Sequence, residues 1–213
     1  MEPRDFRILL AERGIEELKK VSNSLRIPKR KEFVANLGEI EAKLQVVKYS
    51  YMPAEEVAKL EELLKISEMA SKLRKDIQQS DFYGITAHYW LEYIEKLPEL
   101  MKRGEIQKVY EAIRFFSGDV LSKRKTGNLW LCLVDCSFKL EVVTNSENSE
   151  ELTKGNRVVS YLPPRKFGDF VSRGMFVDAS LGKKGELGID EIRKISKSLG
   201  EVESLLISLL SQK

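Results

Sequence analysis

The spacing of apolar residues changes period near residue 116, and that change limits this chain to few folds. Up to there, large apolar side chains recur three and four positions apart, which draws stripes along helices. "FRILLAERGIEELKKV" supplies the first helix. Phe33, Leu37, Ile40, Leu44 and Val47 mark a second, starting just after Pro28. A third opens at Pro53 with Glu55 and Glu56 near its positive end. Its stripe, Val57, Leu60 and Leu64 and then Ile66, Met69, Leu73 and Ile77, shifts halfway and touches two neighbours. Ile85, Tyr89, Trp90, Tyr93, Ile94 and Leu97 mark a fourth helix, and Ile106, Val109, Tyr110 and Ile113 a fifth. Such helices pack as a bundle, each buried large side chain contributing roughly 1.5–3 kcal/mol before chain entropy offsets most of the gain. Core packing therefore accounts for nearly every aromatic in this region.

After "FFSGD" the pattern becomes that of strands. "NLWLCLVD" and "FKLEVVTN" are short, rich in aliphatic and aromatic residues and nearly adjacent, which predicts a hairpin. "NSENSEELTKGN" reads as a polar loop, and "RVVSYL" and "GMFVDAS" as further strands. Ile189, Ile192, Ile195, Leu199, Val202, Leu206 and Leu209 then return to helical spacing. The expected fold is α+β: an N-terminal helical bundle over 1–116, a basic linker over 117–127, a small β-rich domain over 128–182 and a C-terminal helical tail over 183–213. The linker holds Lys123, Arg124 and Lys125, a run that suits either a solvated connection or a patch meeting phosphates.

Chemistry is sparse. The chain has one histidine, His88, inside an amphipathic helical stretch, and no Gly-rich phosphate loop or nucleophile elbow. Glu55–Glu56 and Glu61–Glu62 are sequence neighbours that point in different directions on a helix. Cys132 and Cys136 read as buried small hydrophobes, because a metal site needs two further ligands. The expectation is a protein without catalytic residues, metal or cofactor. No apolar run approaches the ~18 residues of a membrane span, and the N-terminus is charged from its second residue, unlike a secretory signal. An intracellular, nucleoid-associated location is expected, and the many Lys and Glu residues fit a heat-adapted source. Net charge is only +3, so any nucleic-acid contact must be local. Residues 117–185, with eleven basic against eight acidic residues, carry the bias.

The order of parts resembles a subunit of the GINS replication complex, of the archaeal type whose helical domain precedes its β domain. "FRILLAERGIEELKKVSNSLRIP" is similar to that family's opening helix, and Leu73, Arg74, Lys75 and Ile77 to the end of its long helix. "NLWLCLVDCSFKLEVV" is similar to its first hairpin. "LTKGNRVVSYLP", with Lys154, Gly155, Leu162 and Pro163, is similar to its lysine-bearing turn and next strand, and Phe170, Val171 and Gly174 to its closing apolar pair and glycine. In that pattern Leu-Pro ends a strand, a short helical turn brings the apolar pair inward, and glycine lets the chain reverse. The resemblance implies a non-catalytic scaffold in a heterotetramer with a second GINS-type subunit, linking the MCM helicase to a RecJ-like partner, with weak DNA contact at most. It implies partner-binding roles for Leu162, Pro163, Phe170, Val171, Leu73, Ile77 and Trp90.

The window "LPPRKFGDFVSRGM" is also similar to the Pro-Arg-Lys and Ser-x-Gly-Met pattern of oligonucleotide-fold tRNA-binding domains. Tyr161 stands where that pattern has asparagine, and Asp169 where it has glycine. This resemblance implies a tRNA-binding protein with a helical adaptor domain, its nucleic-acid contacts drawn from Lys123, Arg124, Lys125, Arg165, Lys166, Ser172 and Arg173.

Overall fold

The computed structural model describes residues 2–145 and 156–212. It divides into two compact units, the first ending at residue 112 and joined by the residues after 209, the second spanning 113–209. The α+β order is as expected: helices, then an antiparallel sheet, then a C-terminal helix.

The first unit holds α1 (Phe6–Val21), α2 (Arg30–Lys48), α3 (Ala54–Val57), α4 (Glu61–Lys75), α5 (Phe82–Glu95) and α6 (Leu97–Met101). The four long helices form a ring in which α1 and α4 each touch both α2 and α5. The stripe on α2, from Phe33 to Val47, is buried throughout. Trp90 of α5 is 1% exposed and meets the rings of Tyr89 and Tyr93 edge-on at 5.1 and 6.0 Å. Asp5 caps α1 by accepting from the Arg7 backbone N–H. Arg7 is itself fully buried; it pairs with Asp5 at 2.6 Å and donates to the carbonyls of Leu100 and Gly104, each at 2.9 Å. The buried guanidinium thus ties the start of α1 to the end of α6 with its charge and donors matched.

Two helical expectations change. The helix expected from Pro53 is two helices, α3 and α4, separated at residues 58–60, ahead of the place where the stripe shifts. The fifth helix, expected over Ile106–Ile113, is only a 3-10 turn, Val109–Ala112, after which the chain enters a strand at Arg114. There Glu111, 3% exposed, accepts from the backbone N–H groups of Gln107 and Lys108 at 2.7 and 3.1 Å, so local hydrogen bonds replace the helical ladder.

The second unit is built on β1 (Arg114–Thr126), β2 (Leu129–Asp135), β3 (Lys139–Asn145), β4 (Asn156–Phe167) and β5 (Phe170–Val177). They pair antiparallel in the order β3-β2-β1-β4-β5, with the short β6 (Gly185–Glu186) added beside β1. β1 serves two ladders. Its first half, 114–119, pairs with β4, and its second half, 119–126, pairs with β2 across an irregularity at Leu121. A bulge lets one strand bend enough to do both. The two outer strands, β3 and β5, then come together. The Val143 backbone N–H donates to Ser172 Oγ at 3.0 Å, and that hydroxyl donates to the Gly174 carbonyl at 2.8 Å. The sheet is thereby closed into a five-stranded barrel filled by Cys132, Val134, Leu140, Val142 and Val158. α7 (Ile189–Lys194), a 3-10 turn and α8 (Gly200–Ser211) follow, with Val202 and Leu206 buried on α8.

The basic stretch 117–127, expected as a linker, lies mostly in β1. Its run of cations hid the strand because β1 is flanked by polar residues at the tip, where charge is tolerated. The β-rich part accordingly begins at 114 and extends to β6 at 185–186, beyond the expected bounds of 128 and 182. The expected strand end at Leu162–Pro163 is also corrected. β4 runs on to Phe167 and turns through Gly168 and Asp169 into β5, so no helical turn intervenes. Pro163 and Pro164 lack N–H donors and sit where the β4–β5 ladder is irregular, between the Tyr161 and Arg165 pairs. Gly168 has φ +59°, the conformation wanted at the first central position of a two-residue hairpin turn. Gly174 does not reverse the chain: it lies within β5, where a Cβ would stand 2.4 Å from the Ser160 carbonyl oxygen. Lys154 and Gly155 lie outside the described residues.

Candidate nucleic-acid interface

Two hairpin tips carry five cations of the second unit, Lys123, Arg124, Lys125, Arg165 and Lys166. The first is the end of β1 and the start of β2, joined at Gly127 and Asn128. Side chains alternate along a strand, so Lys123 and Lys125 share one side of β1 and Arg124 takes the other. Trp130 stands directly across from Lys125, and the Nζ atoms of Lys123 and Lys125 lie 5.2 and 5.5 Å from the centre of its indole ring. On the opposite side, the Arg124 guanidinium lies 4.8 Å from the ring centre of Phe170. Phe170 pairs with Phe167 at the second tip, where the Arg165 guanidinium is 5.9 Å from the Phe167 ring. The contact between Arg124 and Phe170 therefore brings together the tips of two hairpins that are remote in sequence, with Arg124 beside the second tip and Lys123 and Lys125 on the other side of β1.

Electrostatics favours an anion here. Arg124, Lys125, Arg165 and Lys166 are exposed and form no ion pair with any described residue. Three other cations of the unit are neutralised: Arg114 by Glu186 at 2.8 Å, Lys183 by Glu191 at 2.5 Å, and Lys184 by Asp135. The hydrogen bond from Lys184 holds the Asp135 carboxyl below its ordinary pKa, and that from Lys183 does the same for Glu191. Asp169, at the β4–β5 turn, is the one acid within the second tip. The aromatic faces beneath the guanidinium and ammonium groups hold those long side chains over apolar surface without consuming their charge.

Ser172 and Arg173 are placed differently. Ser172 is 4% exposed and its hydroxyl is occupied in closing the barrel, so it offers nothing to a nucleic acid. Arg173 is half-buried and lies against Tyr161, donating to its hydroxyl at 3.1 Å. Of the residues expected to bind protein partners, Trp90, Ile77, Leu162 and Phe170 are buried within the chain itself, and Leu73, Pro163 and Val171 are half-buried. Phe170 seats the Arg124 guanidinium.

Sequence reasoning did not pick out Trp130, Tyr161 and Phe167, the aromatics under the cations. The signal was present for two of them: Phe167 follows Arg165 and Lys166 directly, and Trp130 lies one tight turn from Lys125.

Elsewhere the chemistry is muted. His88 Nε2 lies 3.4 Å from Arg74, whose guanidinium pairs with Glu95 at 2.7 Å, so the histidine belongs to a polar cluster between α4 and α5. Burial raises the thiol pKa of Cys132 and pushes that of Cys136 up to about 11. Both are free, protonated thiols at neutral pH. Among the described residues no group of three or more His, Cys, Asp and Glu side chains could hold a metal ion. None of the helices described is long and apolar enough to cross a membrane.

Fold and site define a helical unit attached to a small barrel with a basic, aromatic rim. A family model described as an alpha-helical domain matches residues 2–85, most of the helical unit and none of the barrel. No curated protein matches the chain.

Proposed function

We propose that this protein binds RNA, with transfer RNA as the ligand class, through the tips of hairpins β1–β2 and β4–β5. The carrying observation is the seat of Arg124 on Phe170, which joins the two tips into one basic surface. A closed five-stranded barrel in this strand order is the arrangement of the oligonucleotide-binding fold, in which the loops after the first and fourth strands take nucleic acid. Lys123, Arg124, Lys125, Arg165 and Lys166 meet phosphates, while the helical unit serves as an adaptor. The Pro-Arg-Lys and Ser-x-Gly-Met residues divide their labour: Arg165 and Lys166 face the ligand, and Ser172 and Gly174 keep the barrel shut.

A second reading, assembly as a GINS-type scaffold, draws on the outward side of α2, where Val34, Val46 and Tyr49 are 41–56% exposed. Purification from native lysate distinguishes the two. Transfer RNA retained at low salt and released as salt rises supports the first, because phosphate contacts weaken steeply with ionic strength. Co-purification of an MCM helicase and a second GINS-type subunit, with no RNA bound at 50 mM salt, refutes it in favour of the second.

A further inference from the structure

We propose that Trp130 is a stacking platform for one unpaired base, and that Lys123 and Lys125 hold the phosphates beside that base. This inference rests on the RNA-binding reading above and narrows it to a single-stranded segment of the ligand. The chain has two tryptophans. Trp90 is sealed in the helical core at 1% exposure, whereas Trp130 is only half-buried. Its indole Nε1 is a buried donor with no acceptor among the described residues, and its ring is covered by two ammonium groups at 5.2 and 5.5 Å. A ring covered by lysines in the free protein is ready for exchange. A base replaces the ammonium groups on the indole face, and each lysine moves to a phosphate next to that base. The two lysines come from one side of β1 at the spacing of alternate residues, so they can flank a single nucleotide. The adjoining turn is open at Gly127, where an added Cβ would meet nothing within 4 Å. Base-on-indole stacking needs a free π-face on the base, which a paired and stacked duplex does not offer at its side.

The test uses the full-length protein, a 12-nucleotide oligouridylate and an RNA duplex of the same length. Binding of the oligouridylate quenches the fluorescence of Trp130, while buried Trp90 supplies a constant background. The duplex binds without quenching. Trp130→Phe keeps most of the affinity because a phenyl ring still stacks. Trp130→Ala weakens the oligouridylate about tenfold and leaves the salt slope of binding unchanged. Lys123→Gln and Lys125→Gln do the reverse in part, each lowering that slope by about 0.7. Oligouridylate binding with unchanged fluorescence, or with equal affinity in Trp130→Ala, overturns the stacking role while leaving the RNA-binding reading intact. Failure of both this probe and transfer RNA to bind at 50 mM salt overturns the two together.

Discussion

Replacing Arg124 by glutamine removes one cation from the joined surface, and the structure allows the effect to be sized. Five cations, Lys123, Arg124, Lys125, Arg165 and Lys166, stand at the two tips. If each neutralises one phosphate, the slope of log affinity against log salt on a largely duplex RNA is about −4.5, from roughly −0.9 per contact. Between 50 and 200 mM salt that is a loss of about 500-fold in affinity. Arg124→Gln takes the slope to about −3.6 and the loss to about 150-fold. The fold should survive, because an exposed cation–π contact such as that of Arg124 with Phe170 is worth only about 0.5–1 kcal/mol. Arg114→Gln is the matched control. Arg114 also lies over a ring, that of Phe116 at 4.8 Å, but its charge is taken up by Glu186 at 2.8 Å, so its loss should leave the slope alone. Fluorescence anisotropy of labelled transfer RNA over a salt series reads both. A wild-type slope shallower than about −2, or equal slopes for Arg124→Gln and wild type, refutes the joined-tip surface.

Three further outcomes follow from buried contacts. Ser172→Ala leaves the Val143 N–H without its acceptor; such a loss costs about 1–3 kcal/mol and lowers the thermal midpoint of the β unit by several degrees, whereas an unchanged midpoint would mean that another contact closes the barrel. Arg7→Ala leaves Asp5 buried without its cation, a change of about 3–5 kcal/mol in a urea titration of the helical unit; a shift below 1 kcal/mol would count against the clamp. For Cys136 the folded pKa is about 11 against an ordinary 9.0. The unfolded thiol ionises first, so this contribution to stability is complete below pH 9 and is lost as pH rises through 11. Comparing denaturant midpoints of wild type and Cys136→Ala at pH 8 and pH 10.5 checks the sign: only wild type should weaken for this reason.

Much of the architecture was legible from periodicity. The stripe from Phe33 to Val47 is the buried face of α2, and the aromatics around Trp90 are core, because a 3.6-residue repeat leaves a helix little choice about which side is oily. Local rules failed where charge or tertiary pairing overrode them. Lys123, Arg124 and Lys125 masked the strand they belong to, since the end of a hairpin can extend into water and carry any side chain. Leu162–Pro163 resembled a strand terminus because proline removes a donor, yet β4 accommodates both prolines at an irregularity in its ladder with β5. The site was half legible: its cations were visible as residue types, but their aromatic seats were not.

By itself the sequence determined most of the kinds of element and their order, because hydrophobic period acts over a few residues. Only the tertiary structure decided that β3 meets β5 and that Arg124 reaches Phe170. Those contacts join residues far apart along the chain, and their existence depends on how far β1 bends at its irregularity and how the closed barrel presents its two tips. That geometry is a property of the packed sheet, and no local pattern of side chains encodes it.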